Sequence, residues 1–310
     1  MYLKTLSTLA GVALLASTNL QAAPIVLEGN YVKTAISEIG TLGSGHTTPP
    51  GILHDATGTR NFGINDYLTP GSPHEIFAIK SDQTGLLVNN NDYSMPSPAL
   101  TGTLTNTSGT SGYDHSVNWT STSNALFTIS TDTFFNDGDE RISFSTVITA
   151  LADLSSLQFL RSLDPDPDVN TYDSYDTQNG RGNAAQGLAE KDWVHSIGVK
   201  TGLTIGLYTD SSVSHNTGIS SDWEVDPAFY LTGNNDGHGD YTIGLAFDIG
   251  TLLAGQSITL EYHYVMGGSL DTVDLPKPDH PPVSVPEPAT LGLLGLGLAA
   301  LGLRRSRRSA

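Results

Sequence analysis

Three aspartates at alternate positions, Asp164, Asp166 and Asp168, sit in the run Asp-Pro-Asp-Pro-Asp-Val-Asn and are the chain's best candidate for a site. Oxygen ligands at alternate positions are what calcium loops use, so calcium is the cofactor this spacing suggests. The run departs from the EF-hand pattern. Val169 stands where the sharp turn needs glycine, and Tyr175 stands where the bidentate glutamate belongs. Pro165 and Pro167 hold Asp164 and Asp166 extended, which is expected to splay their carboxylates. Two readings stay open: a solvated loop between strands, and a calcium site assisted by Asp173 or Asp176.

Other groupings point less far. Asn234-Asn235-Asp236-Gly237-His238-Gly239-Asp240 reads as a tight turn before a strand, because Gly and Asn supply the positive-φ conformations a turn demands. Asp137, Asp139 and Glu140 read as charges at a hairpin tip. His74 with Glu75, and His263 near Glu261, are acid/base partners in one reading and ordinary surface pairs in the other. Trp119, Trp193 and Trp223 either stack on sugar rings or pack in the core. The chain has no Gly-x-Ser-x-Gly elbow, no His-Glu-x-x-His and no Gly-Lys-Ser/Thr phosphate loop, so no catalytic residue is assigned.

The elements that must position these residues are strands. Segments 74–80, 124–131, 141–149, 193–199, 203–209, 241–248 and 257–266 read as strands, several of them alternating apolar and polar residues. Asn136-Asp137-Gly138-Asp139 suits a hairpin between 124–135 and 141–150. A short helix is expected at 184–191, weakened by Gly187, and the Ser/Thr-dense stretch 101–133 suits exposed strand and loop. No fixed-period repeat is visible, which disfavours solenoids and propellers. The pattern predicts an all-β fold, a large antiparallel β-sandwich over 23–270. Prolines 276, 278, 281, 282, 286 and 288 then mark a stiff extended linker over 271–285.

Residues 1–22 read as a secretory signal peptide, with Lys4 before an apolar core and cleavage after Ala22. The absence of cysteine removes disulfides and thiolate metal sites. Without Lys4, the four C-terminal arginines and Glu287, 9 basic and 31 acidic residues remain, a net charge near −22. Such a field repels phosphate backbones, so nucleic acid is not an expected partner.

The last 25 residues, 286–310, carry the most specific signal. The prolines of Pro286-Glu287-Pro288 favour an extended segment that a protease cleft can read. LGLLGLGLAALGL at 291–303 follows without a charge, and Arg304, Arg305, Arg307 and Arg308 end it. A 13-residue helix spans about 20 Å against roughly 30 Å of hydrocarbon, and from Pro288 to Arg305 the reach rises to about 27 Å. One C-terminal membrane helix is therefore expected, with its arginines in the cytoplasm. Gly292, Gly295, Ala299 and Gly302 share one helix face. That face either admits a second membrane helix closely or merely shortens and softens the signal.

The order of these parts resembles the PEP-CTERM sorting signal of Gram-negative bacteria. The resemblance implies an exosortase, a membrane protease, as partner, and transient anchoring in the inner membrane. It also implies delivery to the envelope or extracellular matrix of an exopolysaccharide producer. The body, at 66–79, 164–182 and 241–267, is similar to uncharacterised exported bacterial β-domains and implies no activity. Two functions remain for the body: a non-enzymatic structural or polysaccharide-binding role, and a secreted carbohydrate-active enzyme on a sugar-handling sandwich.

Overall fold

Residues 23–43, 50–63, 66–68, 74–92 and 99–276 are described by the structure, a computed structural model. The signal segment 1–22, most of the linker, Pro286-Glu287-Pro288, the small-residue face from Gly292 to Gly302 and the four terminal arginines lie outside the described residues. Among the described residues no helix is long and apolar enough to cross a membrane.

Alternation of apolar and polar residues produces strand after strand. The first eight are β1 (Ile25–Glu28), β2 (Val32–Ile36), β3 (Ile52–His54), β4 (Glu75–Ser81), β5 (Gly85–Asn90), β6 (Gly102–Asn106), β7 (His115–Ser121) and β8 (Phe127–Phe135). The rest are β9 (Arg141–Ala150), β10 (Leu154–Leu163), β11 (Thr177–Arg181), β12 (Trp193–Gly198), β13 (Thr204–Tyr208), β14 (His215–Ser220), β15 (Thr242–Leu252) and β16 (Ser257–Gly267). Two short helices interrupt them, α1 (Val169–Tyr172) and α2 (Pro227–Leu231). The expected hairpin is present, β8 pairing with β9 from Phe127–Ala150 to Phe134–Ser143. The expected helix at 184–191 is one 3-10 turn, Ala184–Gln186, because Gly187 takes φ 74° and ends it.

The strands form three antiparallel sheets. Their orders are β1-β2-β3, β14-β15-β10-β4-β5 and β11-β12-β13-β16-β9-β8-β7-β6. The inner faces of the five- and eight-stranded sheets share one core, in which Phe159 meets Tyr262 at 5.8 Å and Phe247 meets Tyr262 at 6.1 Å between ring centres. The three-stranded sheet adds Leu27, Val32, Ile36 and Ile52 to that core. A smaller cluster lies on the other face of the five-stranded sheet, where Tyr230 of α2 packs with Ile76, Ala78, Leu160 and Ala246.

A buried ion pair ties the three sheets together. Glu75 of β4 and Arg161 of β10, 0% and 1% exposed, form the pair inside the sandwich. The Tyr264 hydroxyl of β16 donates to Glu75 at 2.8 Å, and the Leu42 amide, beyond β2, donates at 2.7 Å. Arg161 also lies 4.7 Å over the Phe144 ring. At one side Arg181 of β11 reaches the five-stranded sheet, donating to Thr217 at 3.0 Å and Asn216 at 2.7 Å, both in β14.

Candidate functional site

The carboxylates collect where four strands of the five-stranded sheet begin or end. β10 and β15 are antiparallel neighbours with Leu163 opposite Ile243, so the register continued past the strand ends sets Asp166 against Asp240. The Asp164 amide donates to the His74 carbonyl at 2.8 Å, and the Asp166 amide to Tyr67 at 2.8 Å, which holds the segment straight. One carboxylate oxygen from each of Asp164, Asp166 and Asp240 falls within 4.8 Å of the others. The prolines therefore act opposite to the splaying expected of them. Residues i and i+2 of an extended chain point to the same side, so Pro165 and Pro167 align Asp164 and Asp166.

The site is largely shut from water and poor in donors. Asp164 is 7% and Asp166 4% exposed, and Asp240 is half-buried. The Trp223 indole donates to Asp164 Oδ2 at 2.8 Å. Asp164 Oδ1 and Asp166 Oδ1 are buried and have no hydrogen-bond partner among the described residues. Burial, then the charge of Asp240, pushes the Asp164 carboxyl up to about 7. Burial, then Asp164 and Asp240, pushes Asp166 up to about 8. Asp240 is raised by burial and by Asp176.

Asp168 does not join the cluster. Its carboxylate turns to the β12–β13 connection, accepting from the Lys200 amide at 2.7 Å, the Thr201 amide at 3.0 Å and the Thr201 hydroxyl at 2.6 Å. The helical turn of α1 starts there and breaks the alternation, with Asp168 at φ −101°. Asp173 ends α1 in the left-handed region at φ 51°. Asp240 comes from the Asn234–Asp240 turn, and only pairing of two strands distant in sequence brings it in. His74 and Glu75 are not partners, since Glu75 is engaged by Arg161 and Tyr264. His263 Nδ1 meets the Ser143 hydroxyl at 2.9 Å rather than Glu261. Trp119 and Trp193 are fully buried, while Trp223 is 44% exposed. At the hairpin tip Glu140 meets His54 at 2.8 Å and Asp137 meets His115 at 2.7 Å.

A second surface escaped the sequence reading, because no single strand carries it. Tyr208, His263, Ser143 and Phe134 lie side by side across β13, β16, β9 and β8, with the buried Trp193 of β12 paired beside Tyr208. Tyr113 stacks on Phe134 with ring centres 4.1 Å apart. The next row on the same outer face is Glu261, Ser145, Asp132 and Asn118. Glu261 and Asp132 are exposed, and Tyr113, Phe134, Tyr208 and His263 are half-buried. Burial, then Glu261, raises the Tyr113 hydroxyl, which places that ring within the field of the acidic row. The visible trace in sequence is the outward set of β8 and β9, Ser130, Asp132 and Phe134 with Ser143 and Ser145.

Residues 284–308 match the PEP-CTERM protein-sorting motif. The chain carries a PEP-CTERM sorting signal. That signal marks an exported protein sorted by an exosortase, a membrane protein. No curated protein matches the sequence. Among solved structures, a TPR-domain protein from Parabacteroides distasonis is 13% identical with TM-score 0.42, covering 84% of this chain and 50% of its own. A galactose mutarotase related enzyme from Lactobacillus acidophilus is 12% identical with TM-score 0.38, covering 82% of this chain and 100% of its own. A human-microbiome protein named for kojibiose phosphorylase is 11% identical with TM-score 0.41 over 79% of this chain. This chain spans 30% of the length of that protein.

Proposed function

We propose that this chain is a cell-surface or matrix protein whose β-domain binds an uncharged polysaccharide without cleaving it. The observation that carries the reading is the outer face of the eight-stranded sheet, where half-buried rings run beside exposed carboxylates. Ring faces suit the apolar faces of pyranoses, and carboxylates accept bonds from sugar hydroxyls. The same carboxylates and the net negative charge repel uronate or sulfate chains. Polysaccharide from the producing bacterium should retain the purified exported protein, and Tyr208→Ala or Glu261→Gln should each weaken retention about tenfold. Equal retention of these variants would overturn the reading.

A second reading rests on Asp132 and Glu261, which flank Ser145 two strands apart, about 10 Å between backbones. Paired carboxyls of an inverting glycosidase stand roughly 6.5–9.5 Å apart. Release of reducing ends from the bound polysaccharide, abolished by Asp132→Asn, would favour an enzyme.

The sorting tail completes the proposal. Exosortase reads Pro286-Glu287-Pro288, the 291–303 segment spans the inner membrane before processing, and Arg304, Arg305, Arg307 and Arg308 hold its cytoplasmic end. Glu287→Ala should accumulate the longer species on a blot of the native host. Processing at the wild-type rate would sink that role.

A further inference from the structure

We propose that Asp164, Asp166 and Asp240 together bind one calcium ion at the strand ends of the five-stranded sheet. The site is distinct from the outer sheet face, and the inference does not depend on polysaccharide binding.

Proximity of carboxylates is not enough, since acidic groups gather at many strand ends. The second observation is Asp166, a 4% exposed residue whose buried carboxylate Oδ1 has no hydrogen-bond partner among the described residues. Buried polar atoms nearly always have a partner, and a buried carboxylate oxygen without one calls for an explanation. Asp164 Oδ1 is a second such oxygen in the same cluster. A cation among the three side chains accounts for both.

The chemistry selects the ion. The donors are carboxylate oxygens, with no thiolate and no imidazole in the cluster, which suits a hard cation. Calcium–oxygen bonds run about 2.3–2.6 Å, so ligands on opposite sides of the ion stand roughly 4.6–5.2 Å apart. The three oxygens, all within 4.8 Å of one another, are close enough to share one such shell. Magnesium is smaller and usually keeps several of its waters. Asp164 and Asp166 are too buried for that, whereas half-buried Asp240 leaves one open side for the few waters calcium needs. The Trp223 indole fixes Asp164 through Oδ2 and leaves Oδ1 free, the role a supporting shell plays around a metal ligand.

The test uses the exported protein purified from its host, stripped with a chelator and dialysed against calcium chloride. One calcium ion per chain should be retained at about 1 mM, within the range of extracellular sites, with weaker retention of magnesium. Terbium should occupy the same site and luminesce on tryptophan excitation. Trp223→Phe should lose most of that signal and keep the calcium. Asp166→Asn and Asp240→Asn should each weaken calcium binding more than tenfold, and Asp168→Asn should leave the stoichiometry at one. If Asp166→Asn fails to fold, the rim variant Asp240→Asn decides. No retained calcium at about 10 mM, equal retention of magnesium, or wild-type binding by Asp240→Asn would overturn the proposal.

Discussion

At the scale of single residues, alternation in the aspartate run grouped Asp164, Asp166 and Asp168, whereas the carboxylate that lies beside Asp164 and Asp166 is Asp240. Asp168 follows the same spacing, yet α1 begins there and turns its carboxylate to Thr201. Asp240 arrives through the β10–β15 register, which one segment of sequence cannot display. The buried groups also set a pH dependence whose sign can be worked out. Asp164 and Asp166 titrate near 7 and 8 in the fold against 3.8 in their ordinary state. The folded protein thus binds more protons than the unfolded chain between those values, and stability falls as pH rises through 7 to 8. Burial lowers His74 and His195 to about 4, and burial with Arg141 lowers His263 to about 3, against an ordinary 6.5. These rings cost stability only as pH falls below 6.5 toward those values. Calcium-stripped protein should therefore melt at lower temperature at about pH 8.5 than at about pH 6.5. Asp166→Asn should flatten that limb, and an unchanged limb would refute the assignment.

At the scale of elements, β9 and β16, written as near-clean alternation, were legible with nearly correct ends, while β8, expected over 124–131, runs Phe127–Phe135. Short or polar strands such as β6, β11 and β14 were not, because their place is set by the neighbour they pair with. The helix α2 depends on glycine in a way that local propensity does not reveal. Tyr230 lies across β15 at Gly244, where a Cβ would come within 2.4 Å of the ring. Gly218 of β14 leaves only 3.0 Å. Gly244→Ala should destabilise the domain by about 1–3 kcal/mol in urea unfolding through overpacking. Tyr230→Phe should cost about 1 kcal/mol, since its hydroxyl bonds the Glu224 carbonyl at 2.8 Å. A neutral Gly244→Ala would mean that α2 shifts freely on the sheet.

At the scale of the whole molecule, composition and turn spacing were enough for the all-β class, while the meeting of three sheets at one ion pair was hidden. Glu75 had looked like a surface partner of His74, because a charged residue in a strand is usually exposed. Its burial is tolerated because Arg161, Tyr264 and the Leu42 amide surround it. Glu75→Gln should cost about 3–5 kcal/mol in unfolding free energy, since the Arg161 charge would stay buried alone. Replacing both partners with Leu and Met should cost less than the two single changes summed. Additive losses would show that the two side chains do not act as a unit.

If the chain crosses a membrane unfolded, that pair also dictates an order of events. Tyr264 stands 189 positions after Glu75, and Arg161 lies between them. Until β16 emerges, the pair lacks the hydroxyl that completes its shell, and the eight-stranded sheet lacks a strand from its middle. The domain thus commits to its native state only once its final strand is through, just ahead of the sorting tail.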